Sequence, residues 1–217
     1  MNRVKTVLAA VLVVSSGTLA AQTDKRRAFE AYERAVRLEN QGQTDGALKA
    51  LDEALIADPG HPAALRSRAR LRFHSKMFAD AIADFIQVTR LNPSDAEAWQ
   101  SLGEARLALK DRAAADAFAK AMALGPPAAS LYQFYGEALV LLGEQDKAIE
   151  AFSSSIRLRL DRPEPYVGRG RVKAAQGKYR DAIEDFTTAV HYKPDHAEAL
   201  FERANAQGNL SQFDKAI

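Results

Sequence analysis

The sequence contains no cysteine among its 217 residues. Disulfide bonds are therefore excluded, and so are a thiolate nucleophile and a cysteine-ligated metal site. The lipid anchor of a bacterial lipoprotein also needs a cysteine at the cleavage point, so this mode of attachment is excluded as well. An exported form of the chain would have to be stable without covalent cross-links.

The N-terminus lacks a hydrophobic run long enough to span a bilayer comfortably. An apolar stretch over Val7–Val14 follows a basic start and precedes the small residues of "SSGTLAAQ". This order predicts a secretory signal peptide over residues 1–21, with cleavage after Ala20 or Ala21. The alternative is an uncleaved membrane anchor. We expect a periplasmic or secreted protein that is not inserted in a membrane after cleavage.

The chain also lacks a strong excess of charge of either sign. It has 30 basic and 28 acidic residues, which gives a formal net charge of +2. Arg3 and Lys5 lie in the predicted signal peptide and supply this excess, so the mature chain would be balanced. Because nucleic-acid binding depends on a basic surface, we expect no nucleic-acid partner.

Signatures of catalysis and of cofactor binding are weak. The segment "GRGR", residues 168–171, lacks the third glycine of a dinucleotide fingerprint and follows no predicted strand. His191 and His196 lie close in sequence, but a metal site needs three or four converging ligands. Helix-end histidines in solvent are the simpler interpretation. We therefore expect no metal and no cofactor.

Two pairs of carboxylates have the spacing that places both members on one helix face. They are Asp80 with Asp84, and Asp181 with Asp185. Such pairs can act as acid and base where burial shifts their pKa values. We interpret them instead as solvated charges on the polar side of a helix, and we expect a protein that is not an enzyme.

What the sequence has in abundance is a pattern that repeats about every 34 residues. A recurring alanine returns in steps of 34, 33, 34, 34 and 34 residues. The alanines are Ala47, Ala81, Ala114, Ala148, Ala182 and Ala216. Large apolar residues follow four positions later at Leu51, Phe85, Phe118, Phe152 and Phe186. Small residues precede them at Ala35, Ala69, Gly103, Gly136, Gly170 and Ala204.

This pattern, with "WQSLG" at residues 99–103 and a proline near the end of most units, resembles the tetratricopeptide repeat. The resemblance implies an all-α fold, a right-handed superhelical solenoid of stacked antiparallel helix pairs. One residue is missing from the third unit, in the expected inter-helix turn of Leu109–Asp116. After the signal peptide and a short lead-in over 22–27, we predict a repeat domain over 28–217, with repeats 28–61, 62–95, 96–128, 129–162 and 163–196 and an incomplete repeat 197–217.

The resemblance also implies a binding surface, because in this family the first helix of each pair lines a concave groove for extended peptides or partner helices. The fifth and ninth positions of each unit face that groove. The polar residues predicted there are Arg66, Arg70, Gln100, Glu104, Gln133, Glu137, Arg171 and Asn205. Tyr32, Val36, Val167 and Phe201 occupy the remaining positions. The Lys-Asn pair of the carboxylate-clamping members is missing, which argues against such a clamp.

Two interpretations of the groove charges stay open. In the first, the charges select a partner of complementary charge, and Arg66 with Arg70 forms a fork for a carboxylate. In the second, the charges pair with one another across adjacent repeats, Arg70 with Glu104 and Glu137 with Arg171. Exposed pairs of this kind contribute only about 0–1 kcal/mol to stability.

The function that this pattern favours is that of an exported scaffold or adaptor that binds proteins or peptides, in envelope assembly or as a co-chaperone. One alternative is the substrate-docking arm of a longer enzyme whose catalytic domain lies beyond residue 217. Another is a structural solenoid that self-associates. The sequence stops at "FDKAI", before the second helix of the sixth repeat is complete. We therefore expect a fragment of a longer protein, with residues from about Ala206 onward frayed or paired with another copy.

Overall fold

The computed structural model describes the backbone of residues 2–216 and the side chains of residues 21–211. Over this part of the chain it contains eleven α-helices and no strand. The helices are α1 Asn2–Asn40, α2 Thr44–Ala57, α3 Pro62–His74, α4 Phe78–Leu91, α5 Ala96–Ala108, α6 Ala114–Leu124, α7 Ala129–Leu142, α8 Gln145–Leu158, α9 Pro163–Ala175, α10 Tyr179–Tyr192 and α11 Ala197–Ala216.

The helices form two compact units. The first, residues 1–93, contains α1–α4, and the second, residues 94–217, contains α5–α11. Within each unit, helices that follow one another pack closely, as short connections between antiparallel helices require. The predicted all-α fold of stacked helix pairs is confirmed. The side chains of the predicted signal peptide lie outside the described residues, apart from Ala21; among those described, no helix has the length and apolarity to cross a membrane.

Local sequence explains where the first helices of the pairs begin. Proline opens α3 and α9, where the missing N–H has no helical partner to lose. Asp95 caps α5 by accepting a hydrogen bond from the backbone N–H of Ala98. His61 and His196 do the same for α3 and α11 through Nδ1, at 3.2 and 3.3 Å. His196, considered above as a metal ligand, is therefore a helix cap.

Each helix pair of the second unit is held by a phenylalanine that packs on a glycine. Phe118, Phe152 and Phe186 come from the second helices and are almost completely buried. A Cβ built on Gly103, Gly136 or Gly170 would lie 2.6, 2.8 or 2.7 Å from the corresponding ring. Such a distance is too short for real atoms, so these positions must be glycine for the two helices to approach. The three glycines of the repeat pattern therefore serve packing.

Phe152 has a second glycine neighbour in the following repeat. A Cβ on Gly168 would lie 2.6 Å from its ring. Both glycines of the "GRGR" segment thus face phenylalanine rings, Gly168 that of Phe152 and Gly170 that of Phe186. The glycines are explained by close helix packing both within a repeat and between successive repeats.

The turn between the two helices of each pair uses one residue in the left-handed region. The residues are Gly42, Lys76, Lys110, Gly143 and Gly177, with φ between 55° and 81°. These positions are equivalent in the five repeats. Because a side chain in this region is strained, Lys76 and Lys110 are less favourable there than glycine.

The one-residue deletion of the third repeat is accommodated differently from the prediction. The turn between α5 and α6 spans residues 109–113 and is longer than the other turns, whereas α6 has 11 residues and α2, α4, α8 and α10 have 14 each. Helix α6 therefore loses its first turn. Asp111 accepts a hydrogen bond from Ala113 N, and Arg106 donates one to Ala113 O, so this longer turn is well ordered.

The sixth repeat also differs from the expectation. Helix α11 runs without interruption for 20 residues, and no second helix starts near Phe213 in the described backbone. Gly208, near the place of the expected turn, has no positive φ. The helix therefore continues where the repeat pattern predicted a change of direction. The side chains from residue 212 onward lie outside the described residues, and the expected fraying stays a prediction.

The interpretation of the aspartate pairs as solvated is wrong for one member of each pair. Asp80 and Asp181 are exposed, but Asp84 and Asp185 are buried. Arg169 binds Asp185 with two hydrogen bonds, of 2.7 and 3.0 Å, and Lys173 lies 2.8 Å from the same carboxylate. Burial of a carboxylate becomes tolerable when two cations neutralise it.

The first unit contains the equivalent cluster around Asp84. Arg68 and Arg72 donate to its carboxylate, and Arg68 also reaches Asp52 at 2.6 Å. The basic residues occupy the seventh and eleventh positions of their repeats, where the family pattern has apolar residues. This departure from the pattern was the signal in the sequence for a buried ion cluster.

We expect Gly136→Ala to lower the free energy of unfolding by about 1–3 kcal/mol, because the new methyl group overlaps the Phe152 ring. Urea unfolding followed by circular dichroism measures the change. Gly208→Ala is the matched control: its Cβ has open space, and alanine favours a helix by about 1 kcal/mol. Equal effects of the two substitutions would contradict the packing role.

We expect Asp185→Asn to destabilise the protein by about 3 kcal/mol, because it leaves Arg169 and Lys173 without their shared counter-charge. Asp181→Asn, one turn earlier on the exposed face of α10, should change the stability by less than about 0.5 kcal/mol. Thermal unfolding of both variants measures the difference. A small effect at both positions would show that the buried cluster is energetically neutral.

Candidate functional site

Most of the predicted groove residues lie on the first helices of the second unit. We call this surface the first-helix face of unit 2. It is defined by Gln100 and Glu104 on α5, Gln133 and Glu137 on α7, Arg171 on α9, and Glu198, Phe201 and Glu202 on α11. Helices α5, α7, α9 and α11 pack in this order, each on the next. The face therefore brings together side chains from four successive repeats.

Two successive first helices carry the same hydrogen-bonded pair. Gln100 Nε2 donates to Glu104 Oε1 at 2.8 Å on α5, and Gln133 Nε2 donates to Glu137 Oε1 at 3.0 Å on α7. The members of each pair stand four residues apart, so they face the same side of the helix. In each pair the glutamine holds the carboxylate in one orientation.

The carboxylate of Glu137 has an unusual electrostatic environment. Burial raises its pKa above the ordinary value of 4.5, and the hydrogen bond from Gln133 lowers it by a smaller amount. The charge of Glu198 raises the pKa further, whereas the charges of Arg162 and Arg171 lower it. Burial and the like charge of Glu198 together outweigh the favourable neighbours, so the ionised form of Glu137 is destabilised in the folded protein.

Arg171 is held by the next first helix. Its Nη1 lies 3.0 Å from Glu198 Oε1, and its Nε lies 3.4 Å from Glu202 Oε1. The predicted ion pair between Arg171 and Glu137 does not form within the described residues, although the two charges interact at longer range. Charge pairing across adjacent repeats does occur here, but with partners other than the predicted one.

The two predicted groove arginines of the first unit, Arg66 and Arg70, are exposed on α3. Arg70 Nη2 lies 2.6 Å from Glu39 Oε1 on α1, so its charge is matched within the unit. Arg66, one turn earlier, also has a polar partner. The pairing of Arg70 with Glu104 would join the two units and stays a prediction. These contacts give no support to the interpretation in which Arg66 and Arg70 together bind a carboxylate of a partner.

The remaining predicted positions differ in exposure. Asn205 on α11 is exposed, Val167 on α9 is buried, and Phe201 on α11 is 65% exposed. The ring of Tyr32 in the first unit contacts that of His61, with the centroids 5.3 Å apart and the planes tilted by 36°. Phe201 is thus the large apolar side chain that the predicted set presents to solvent.

Sequence reasoning missed several charged residues of this surface. Glu198 and Glu202 lie at the second and sixth positions of their repeat, and Glu39 lies at the twelfth position of the first. Only the fifth and ninth positions were considered, so the partners of Arg70 and Arg171 escaped attention. Glu198 and Glu202 each lie three residues before a predicted position, Phe201 and Asn205, and this helical spacing was a signal that could have identified them.

The chemistry of this surface is that of hydrogen bonds and charge. Among the described residues, no group of three or more His, Asp or Glu side chains is arranged to hold a metal ion. His191 lies exposed in the last turn of α10, with its ring against Tyr192.

Comparison with known families identifies the repeats. Three family models of the tetratricopeptide repeat match this chain, over residues 38–107, 129–162 and 167–217. Together they match most of the region in which the helix pairs were described. The chain belongs to the tetratricopeptide repeat family.

The tetratricopeptide repeats of this chain are similar to those of several characterised proteins. Protein FlbA of Caulobacter vibrioides is 26% identical over 170 residues, which are 78% of this chain and 28% of FlbA. The chain therefore spans little more than a quarter of the length of this relative. Among solved structures, MamA is 26% identical with a TM-score of 0.72, and the match covers 79% of this chain and 94% of MamA.

A further tetratricopeptide repeat structure, YrrB, has a TM-score of 0.76 at 21% identity and covers 86% of this chain and 97% of its own. YrrB is described as a TPR protein with an unusual peptide-binding site. At this identity the likeness establishes the shared fold. These structures agree with the helix pairs seen here.

We expect the stability of the tetratricopeptide domain to depend on the ionisation of Glu137. Because its pKa is raised in the folded state, its contribution is fully present below the unfolded pKa and is lost as the pH rises through the folded pKa. Glu137→Gln removes the ionisable group and therefore this loss of stability. Its amide oxygen can still accept the hydrogen bond from Gln133. The variant should therefore be more stable than the parent near pH 7, and the difference should vanish below pH 4.5.

Urea unfolding at both pH values measures this difference. Glu150→Gln, an exposed residue on α8, is the matched control and should show no comparable gain near pH 7. A gain of equal size for both variants would indicate a general charge effect and would contradict the assignment to Glu137.

Proposed function

We propose that this protein is a scaffold that binds an extended segment of a partner protein across the first-helix face of unit 2. The observation that carries the proposal is the repeated Gln–Glu pair on α5 and α7, with hydrogen bonds of 2.8 and 3.0 Å. Equivalent side chains held in equivalent positions of successive repeats suit a ligand that runs along the repeats.

The preorganisation of these side chains supports binding as their role. A carboxylate already held by a glutamine loses little conformational freedom when a ligand binds. The entropic cost of binding is therefore smaller, and more of the interaction energy contributes to affinity. Phe201, 65% exposed on α11, adds a large apolar contact beside the polar groups. Exposed aromatic side chains next to polar groups are typical of protein-binding surfaces.

We further propose that the protein is exported and acts in the cell envelope. The basic start, the Val7–Val14 run and the small residues before Ala21 support this proposal. Intact-mass measurement of the exported protein should give a new N-terminus at Ala21 or Gln22. Full-length protein retained in the membrane would contradict the cleavage.

The test of the proposed function is site-specific photocrosslinking in cells. A photoreactive phenylalanine analogue replaces Phe201 on the first-helix face, and in a second strain it replaces Leu158 on the second helix α8. Both side chains are partly exposed, at 65% and 45%. We expect adducts with a partner protein at Phe201 and none at Leu158.

The pattern of adducts separates the proposal from its rivals. Adducts only at Leu158, or equal adducts at both positions, would contradict binding on the first-helix face. An adduct of twice the mass of the chain, found only at Phe201, would instead support self-association through α11. The alternative role, as the docking arm of a longer enzyme, also predicts adducts at Phe201. It differs from the proposal in the captured protein, which would be a substrate of that enzyme.

A further inference from the structure

The carboxylate of Glu137 is only partly neutralised. It accepts one hydrogen bond, from Gln133, and among the described residues no Lys, Arg or His nitrogen lies within ion-pair distance of it. The charged groups that act on it are Glu198 from α11, Arg162 at the start of α9, and Arg171 on α9. Half-buried carboxylates normally acquire a cationic partner, so this position lacks one.

Gln133 supplies an independent observation at the same place. Its side chain is 6% exposed, and its Oε1 has no hydrogen-bond partner in the described structure. A buried acceptor without a donor costs about 1–3 kcal/mol. Because Nε2 of the same amide holds Glu137, the unsatisfied oxygen lies beside the carboxylate. The missing group at this position is therefore a hydrogen-bond donor.

The arginines of the face cannot supply that donor without breaking other contacts. Arg171 is bound to Glu198 and Glu202, and Arg162 lies 3.5 Å from Glu164. The two guanidinium groups are thus paired with three carboxylates, those of Glu164, Glu198 and Glu202. Glu137 is a fourth carboxylate and is not paired with either of them. The surplus charge of these residues is negative, which favours a cationic ligand and disfavours an anionic one.

The described side chains do not favour a metal ion as this cation. No group of three or more potential ligands is present among them, and the amide and carboxylate at this position come from a single helix. A guanidinium group fits better, because its planar set of N–H donors can contact a carboxylate and an amide oxygen together.

We propose that the first-helix face of unit 2 binds an extended basic segment of a partner protein, with an arginine side chain seated against Gln133 and Glu137, where the charge of Glu198 also acts. The inference rests on the proposed function, since it names the chemistry of the partner that this face takes. The expectation of a carboxylate bound by Arg66 and Arg70 concerns the first unit and stays a prediction.

Phe201 suggests where a second side chain of the ligand binds. It lies on α11, two first helices away from Glu137 on α7. Packed helices are about 8–10 Å apart, and an extended chain advances about 3.3 Å per residue. A ligand that spans this distance places an apolar side chain at Phe201 about five residues from the arginine.

The test uses the full chain and random twelve-residue peptides displayed on phage. Peptides retained by the immobilised protein are sequenced, and the selection is repeated with Glu137→Lys. The matched control is Glu150→Lys, which makes the same charge change on the exposed side of α8. We expect enrichment of arginine with the parent and with Glu150→Lys, and loss of that enrichment with Glu137→Lys.

The enriched peptides are then synthesised with citrulline, which is neutral and close in shape, in place of arginine. We expect binding to weaken on the order of tenfold in fluorescence anisotropy titrations, as loss of a charge-assisted hydrogen bond predicts. The same substitution should have little effect on binding to Glu137→Gln, because the carboxylate is already absent.

The outcomes distinguish this inference from the proposed function. If peptides are enriched without an excess of basic residues, or if Glu137→Lys retains the basic ones, the cation site is wrong and the binding face survives. If peptides of no kind are enriched, the proposed function fails together with the inference. Enrichment of acidic peptides would restore the expectation of a carboxylate ligand.

Discussion

The contact between a phenylalanine of each second helix and a glycine of the first is the constraint on which the second unit depends. Phe118, Phe152 and Phe186 fill the space that Gly103, Gly136 and Gly170 leave open, at distances that exclude even one additional methyl group. Close approach of the two helices buries their apolar faces against each other and against the next pair. The remaining side of the first helices is the surface at which we propose that a ligand binds.

Charge is used in two ways in this molecule. At Asp84 and Asp185, buried carboxylates are fully matched by basic residues of the same repeat, which fixes one helix against the other. At Glu137, a half-buried carboxylate is held by Gln133 and has no ion-pair partner among the described residues. The same type of group is thus structural where its cations are present and available for binding where they are missing.

The position of Glu137 also has an energetic consequence for the fold. Its raised pKa means that the ionised carboxylate opposes folding near neutral pH, so the side chain lowers stability where it stands. A binding partner that supplies a positive charge would remove this cost and stabilise the folded domain at the same time. The proposed binding would therefore be coupled to stability through Glu137.

The sequence by itself determined the family, the helix pairs and the positions of the small residues, because these follow from residue spacings that recur from repeat to repeat. It did not determine that the deletion in the third repeat shortens α6, or that α11 continues past the place of the expected turn. Only the tertiary structure decided which charged side chains form contacts. Asp84 and Asp185 are buried, Arg171 forms an ion pair with Glu198, and Glu137 lacks an ion-pair partner among the described residues. Helical periodicity assigns a residue to a face, but the distance to its partner on another helix depends on how the helices stack.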